Sequence, residues 1–132
     1  MNILVDSSVW IDYLRRKDSP AHALLVAGIK ARTLATTDVV VMEVLAGPTS
    51  EGVAARHARM LAGCHFLPQS SPGDAEHASG LFRACRRAGE TPRSLIDCIV
   101  AAVAIRHDLP VLHRDRDFDM LARHTPLQLV NL

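Results

Sequence analysis

Asp6, Glu43, Asp97, Asp115 and Asp117 each stand where an apolar segment gives way to a turn or opens a helix, and nothing else in the chain constrains its fold so tightly. Asp6 closes the apolar run Asn2-Ile-Leu-Val-Asp6 and leads into Ser7-Ser8. Glu43 is the one charge within Val39-Val-Val-Met-Glu-Val-Leu-Ala-Gly47, and Asp97 is the one acid between Ser94 and His107. Asp115 and Asp117 follow the short run Leu109-Pro-Val-Leu112. Carboxylates set among apolar residues cost stability unless they are paired, hydrogen-bonded or bound to a cation. No lysine or arginine adjoins Glu43 or Asp97 in sequence. A divalent cation shared by all five acids would compensate them together and would also bring a reaction.

The segments between these acids alternate in type. Ile3–Val5 reads as a buried strand and Val9–Leu14 as the helix after it. Ser19-Pro20 opens a helix to about Ala31, because proline suits a first helical turn. Thr33–Thr36 reads as a second strand, Asp38 as the cap of the helix bearing Glu43, and Gly47-Pro48 as its end. A helix over Gly52–Ala62 precedes a strand at His65–Leu67. Ser71-Pro72 opens a long helix to Ala88, stopped by Gly89. Ser94 caps an apolar helix to His107, Val111-Leu112 is a fourth strand, and Phe118–Arg123 is a short helix. Leu127–Val130 is a fifth strand at the sheet edge. Short apolar strands alternating with helices predict a single α/β domain over residues 1–132, with a parallel sheet covered on both faces. Ligands of such sheets gather at the carboxyl ends of the strands, where Asp6, Asp115 and Asp117 fall.

Each acid also has a local explanation. Asp6 can cap the first helix. Ser94-Leu-Ile-Asp97 has the spacing of a capping box, in which Asp97 reaches back to the cap amide. Asp115 and Asp117 suit the positive end of the following helix. Glu43 has no such role. One metal site accounts for all of them at once, and carboxylate oxygens are the donors that Mg²⁺ and Mn²⁺ prefer.

The bulk properties fit an intracellular domain without a membrane anchor. Hydrophobic residues make up 48% of the 132, enough for a core. The apolar stretch Leu95–Ile105 contains Asp97 and is too short to span a bilayer. Asp6 interrupts the N-terminal hydrophobic run before it could serve as a signal peptide. Three widely spaced cysteines, Cys64, Cys85 and Cys98, suit a reducing cytoplasm. The net charge is +1; setting the five acids aside leaves nine acidic against fifteen basic groups, and all of those bases except Lys17 and Lys30 are arginine. Arginine makes bidentate phosphate contacts, so an acidic pocket in a basic surround suits a polyanion. Arg83, Arg86, Arg87 and Arg93, just before the helix of Asp97, are the candidate contacts to such a substrate.

Ile3-Leu-Val-Asp-Ser-Ser-Val-Trp-Ile-Asp12, Met42-Glu-Val-Leu-Ala-Gly47, Arg93-Ser-Leu-Ile-Asp-Cys-Ile-Val-Ala-Ala102 and Val111-Leu-His-Arg-Asp-Arg-Asp-Phe118 resemble the PIN-domain ribonucleases. The likeness is to the VapC toxins of toxin–antitoxin pairs in particular, and it extends over the whole chain. It implies a three-layer α/β/α fold around a parallel sheet of about five short strands. It also implies a Mg²⁺-dependent endoribonuclease in which Mn²⁺ substitutes, with 5′-phosphate and 3′-hydroxyl products and structured RNA such as tRNA as substrate. The expected partners are an inhibitory VapB-type antitoxin and a second copy of the chain. By the motif, Asp6, Glu43, Asp97 and Asp115 are catalytic, and Asp6, Asp97, Asp115 and Asp117 hold metal. Ser7 and His113 support them from behind. Many relatives carry Ser, Thr or Asn where this chain has His113.

Two other readings compete. Aspartyl-phosphate proteins also place Asp after a first strand, but they need a lysine near the phosphoryl group, and both lysines here precede residue 31. A non-catalytic RNA-binding regulator with a structural Mg²⁺ site would use the same acids; a nuclease assay with and without chelator separates it.

Overall fold

The computed structural model describes residues 2–132. Its four strands are β1 (Ile3–Val5), β2 (Leu34–Thr36), β3 (His65–Phe66) and β4 (Val111–Leu112), joined by seven helices. These are α1 (Ser7–Leu14), α2 (His22–Ala31), α3 (Asp38–Leu45), α4 (Glu51–Ala62), α5 (Gly73–Arg87), α6 (Leu95–Arg106) and α7 (Arg116–His124). The strands pair in the order β3-β2-β1-β4, all parallel. Parallel strands carry their carboxyl ends to one edge, so the central pair fixes where the acids meet. Val5 lies opposite Leu112, and the Asp6 N–H donates to the Leu112 carbonyl at 2.9 Å. Asp6 and the turn carrying Asp115 are neighbours for that reason.

Leu127–Val130 does not form the fifth strand expected of it. Leu129 makes a single parallel bridge to Val111, with Val111 N donating to Gln128 O and Val130 N to Val111 O, each at 3.0 Å. The strand it would extend, β4, is two residues long and offers no further register. The α/β/α architecture stands with four strands and this bridge.

The core is aliphatic, apart from the buried rings of Trp10 and Phe118. Leu4, Val5, Ala35, Val111 and Leu112 bring the sheet into it, and α6 brings Cys98, Val100, Ala101, Ala102, Val103 and Ala104. A helix apolar on every side must be enclosed on every side, and α6 packs against α5, α7 and α3. Its small residues permit that close approach. A similar tightness occurs at Gly28, where a β-carbon would lie 2.3 Å from Leu34 Cδ2.

Several helix starts differ from the sequence reading. Asp38 is the first residue of α3, not its cap; its Oδ2 accepts the Gln69 N–H at 2.7 Å, while Thr37 Oγ1 donates to Leu67 O at 2.6 Å. Both side chains secure the turn after β3. Helix α2 begins at His22, after a turn in which His22 N donates to Ser19 O, and has no side-chain cap. Ser94 caps α6 as expected, through Ile96 N at 3.2 Å. Gly89, at φ +87°, ends the turn after α5 in a conformation that glycine adopts without strain.

Asp74 and Arg106, 32 positions apart, form a pair that no local pattern signals. The guanidinium donates from Nε to Asp74 Oδ1 and from Nη2 to Oδ2, both at 2.9 Å, and also to Pro68 O. Asp74 is buried and bonded to α6 through this contact, and its Oδ2 also accepts the Ser70 N–H at 2.7 Å. Arg106→Ala is expected to destabilise the protein by about 2–4 kcal/mol, because breaking such a pair leaves a buried charge behind. Chemical denaturation measures it; a change within 0.5 kcal/mol would place the contact among surface pairs of little worth.

Candidate metal centre and nuclease site

Four carboxylates converge beyond the carboxyl ends of β1 and β4, and a fifth borders them. Asp6 follows β1 and caps α1; its Oδ2 accepts Ser8 N at 3.1 Å and Ser8 Oγ at 2.6 Å. Asp115 follows β4 and caps α7, with Oδ1 accepting Asp117 N at 2.9 Å. Asp97 projects from the first turn of α6. One oxygen from each of Asp97, Asp115 and Asp117 lies within 4.8 Å of the other two. Glu43 reaches the group from α3, and its Oε1 accepts the Ser7 hydroxyl at 2.9 Å.

The capping-box role suggested for Asp97 is not what the fold uses. The Ser94 N–H donates to Asp117 Oδ2 at 3.1 Å, as does Arg93 N at 2.8 Å. Asp117 thereby fastens the start of α6 to α7. Asp97, 6% exposed, is left with a buried Oδ2 that has no hydrogen-bond partner, and Asp6 Oδ1 is in the same position. Orphaned buried carboxylate oxygens are costly, and they need an explanation that caps do not supply.

The electrostatics agree. Burial pushes the Asp97 carboxyl up to about 8, helped by the charges of Asp6, Asp115 and Asp117. Burial also raises Asp6, against the opposing hydrogen bonds from Ser8, and the charge of Asp115 adds to it. Glu43 is raised too, by desolvation first and by Asp6 and Asp115 after it, with the Ser7 bond opposing. It is half-buried, less enclosed than its apolar neighbours in sequence suggest, since Met42 is itself exposed. The donors are all hard oxygens, two of them unsatisfied, and negative charge is in excess. That is the donor chemistry of a site for Mg²⁺ or Mn²⁺.

Among the described residues, the arginine paired with the clustered acids is Arg93. Arg93 Nη2 lies 3.6 Å from Asp115 Oδ1, and its Nε lies 3.7 Å from Asp117 Oδ1. It sits at the rim, largely exposed, apart from Arg83, Arg86 and Arg87, which lie exposed on or at the end of α5. Arg86 rests over the Phe82 ring at 5.6 Å. His113 is a support: its Nδ1 accepts the Asp115 N–H at 3.0 Å, its ring packs 5.2 Å from Phe118, and its Nε2 lies 3.4 Å from Asp119.

The sequence reading passed over Ser8, Asp12 and Arg114. Asp12 carried the signal already used for Asp97, since it is a lone acid in the apolar helix Val9-Trp-Ile-Asp-Tyr-Leu14. It is buried at 3% exposure and paired with Arg114, which directly precedes Asp115.

Residues 3–124 match the model of the PIN domain. The chain belongs to the PIN-domain family. Within it, this PIN domain is 39% identical over 128 residues to the VapC ribonuclease Mb1587 of Mycobacterium bovis and, to the same extent, to the ribonuclease VapC11 of Mycobacterium tuberculosis; 96% of each chain is covered. Among solved structures it resembles VapBC2 from Rickettsia felis bound to a DNA fragment from their promoter, with TM-score 0.77 and 15% identity over 100% of this chain and 99% of that one. It also resembles a toxin–antitoxin complex from Klebsiella pneumoniae, with TM-score 0.71 and 24% identity over 89% and 90%. At those identities the structures speak for the fold. Among the described residues no helix is long and apolar enough to cross a membrane.

Proposed function

We propose that this PIN domain is an endoribonuclease toxin of the VapC type, dependent on Mg²⁺ with Mn²⁺ as substitute, and silenced by a VapB-type antitoxin. One observation carries the reading. In a chain that is 39% identical to VapC ribonucleases, Asp97, Asp115 and Asp117 gather at one sheet edge, Asp6 stands near enough for its charge to bear on Asp97, and Asp6 and Asp97 each keep one buried oxygen unsatisfied. Asp97, Asp115 and Asp117 would hold the cation together with Asp6. When bound, such an ion supplies Lewis-acid charge to a phosphodiester and lowers the pKa of the attacking water. Glu43, kept in place by Ser7 and raised in pKa, would be the group beside the ion able to accept a proton from the attacking water. Arg93 lies at the mouth of the site, where it can meet a substrate phosphate or, in the inhibited complex, yield its carboxylates to an antitoxin arginine. Structured RNA such as tRNA is the substrate class, a homodimer the working form and the cytoplasm its place, consistent with three free cysteines.

Brief expression followed by sequencing of RNA ends tests this reading. New 5′-phosphate ends should appear at a restricted set of sites and vanish when a cognate antitoxin is co-expressed. Unchanged ends, together with normal growth, would sink the toxin reading.

The arginines of α5 hold RNA rather than cut it. Replacing Arg83 and Arg87 by Gln is expected to weaken RNA binding and to lower the slope of log affinity against log salt by about 2, one for each lost phosphate contact. The rate on saturating RNA should hold. An unaltered salt slope would assign these side chains to another role.

A further inference from the structure

A second ion pair stands directly behind the metal-binding carboxylates. Asp12 lies about one and two-thirds turns beyond the Asp6 cap of α1 and is buried. The Arg114 guanidinium meets both of its oxygens, with Nε on Oδ2 and Nη2 on Oδ1, the latter at 3.0 Å. Such a two-point contact fixes orientation as well as distance. The same residue's backbone N–H donates to Ser8 Oγ at 3.1 Å, and that hydroxyl donates to Asp6 Oδ2 at 2.6 Å. Arg114 is also covalently joined to Asp115. One arginine therefore ties α1 to the turn after β4, and through Ser8 it occupies the oxygen of Asp6 that does not face the remaining duty. Asp6 Oδ1, buried and unsatisfied, is left as the free donor.

We propose that Asp12 and Arg114, acting through Ser8, are positioning residues that orient Asp6 and set its separation from Asp115 for cation binding. The inference rests on the metal-dependent reading of the site. Outer hydrogen bonds to ligating carboxylates set ligand orientation, and their loss elsewhere costs roughly 10–100-fold in metal affinity. The relay has a definite polarity: Ser8 Oγ has one proton, given to Asp6, and so can only accept from Arg114 N. Ser8→Thr preserves this arrangement and Ser8→Ala abolishes it.

Mn²⁺ titration of the full chain, followed calorimetrically and by the paramagnetic signal of free Mn²⁺, tests the proposal without RNA. Ser8→Ala should weaken Mn²⁺ binding roughly 10-fold or more, and Ser8→Thr should restore it. Asp12→Ala combined with Arg114→Ala removes the pair without stranding a buried charge, and should weaken binding at least as much. Adding Ser8→Ala to that double variant should cost little more, since residues on one path are not additive. If the double variant does not fold, the two Ser8 variants decide. Wild-type affinity in Ser8→Ala, or in the folded double variant, would overturn the proposal. So would a loss of RNA affinity in chelator with Mn²⁺ binding intact, which would make Arg114 a phosphate contact. Asp6→Asn is the control for the underlying reading. If it alone loses Mn²⁺ binding, only the positioning role falls; if it binds Mn²⁺ normally, the metal site itself is misassigned.

Discussion

Purified Asp6→Asn protein is expected to fold, to bind RNA and to cleave none of it detectably. The amide keeps the acceptor that Ser8 uses and so keeps the cap of α1, which the present contacts at 3.1 and 2.6 Å require. It loses the charge on the oxygen that has no other partner. Removing one group that stabilises transition-state charge costs roughly 10²–10³-fold in turnover, and a shared metal ligand should cost more. The same substitution relieves repulsion against Asp97 and Asp115, to which the raised carboxyl pKa values at the site point. In chelator the variant should therefore melt no lower than wild type. Turnover within 10-fold of wild type would remove Asp6 from the centre of the site; a collapsed melting transition would mean that its role is structural.

Removing divalent cations should stop cleavage and also change how stability depends on pH. Calcium should restore binding of substrate more than it restores turnover, because its looser shell does not enforce the geometry Mg²⁺ demands. The pH effect follows from Asp97. Its carboxyl is raised in the fold from an ordinary value near 3.8 to about 8, by burial first and by neighbouring acids second. Between those values the native state holds a proton that the unfolded state has released. Metal-free protein should therefore lose stability steadily as pH rises from about 4 to about 8, and lose no more from this group above that. Mn²⁺ should flatten the curve, because it stabilises the charged form; at one hundred times its dissociation constant a ligand adds about 2.7 kcal/mol. Asp97→Asn should reduce the slope without metal, leaving the part that Asp6 and Glu43, also raised by burial, contribute. Thermal melts at fixed ionic strength, in chelator for the two metal-free curves and with Mn²⁺ added for the other, read all three. A metal-free protein equally stable at pH 5 and pH 8 would show that Asp97 is solvated after all. Robust cleavage in chelator would reject the metal mechanism.

Much of this site was legible in one dimension because its residues break local rules. An acid at the end of an apolar strand, or alone in an apolar helix, announces a cost that something must offset. Asp6, Asp97 and Asp115 are found by that signal without any contact being known, and the alternation of strands with helices puts the strand-end acids at one edge. The same signal stood at Asp12 and was not used, since its compensation by Arg114 lies 102 positions away.

Pattern alone fixed the element order, the parallel sheet and the set of acids, since each of these depends on residues close in sequence. Partnership was decided only by the tertiary structure. Asp117, not Asp97, holds the Ser94 and Arg93 amides; Asp38 secures the β3 turn instead of capping α3; Leu127–Val130 is reduced to a bridge. In each case the local geometry permitted two hydrogen-bonding arrangements of similar worth, and the choice fell to whichever acceptor packing brought within reach. Arg93 and Arg114, both exposed arginines in sequence terms, became different things for the same cause: one rests at the rim of the carboxylates, and the other is locked to a buried acid behind them.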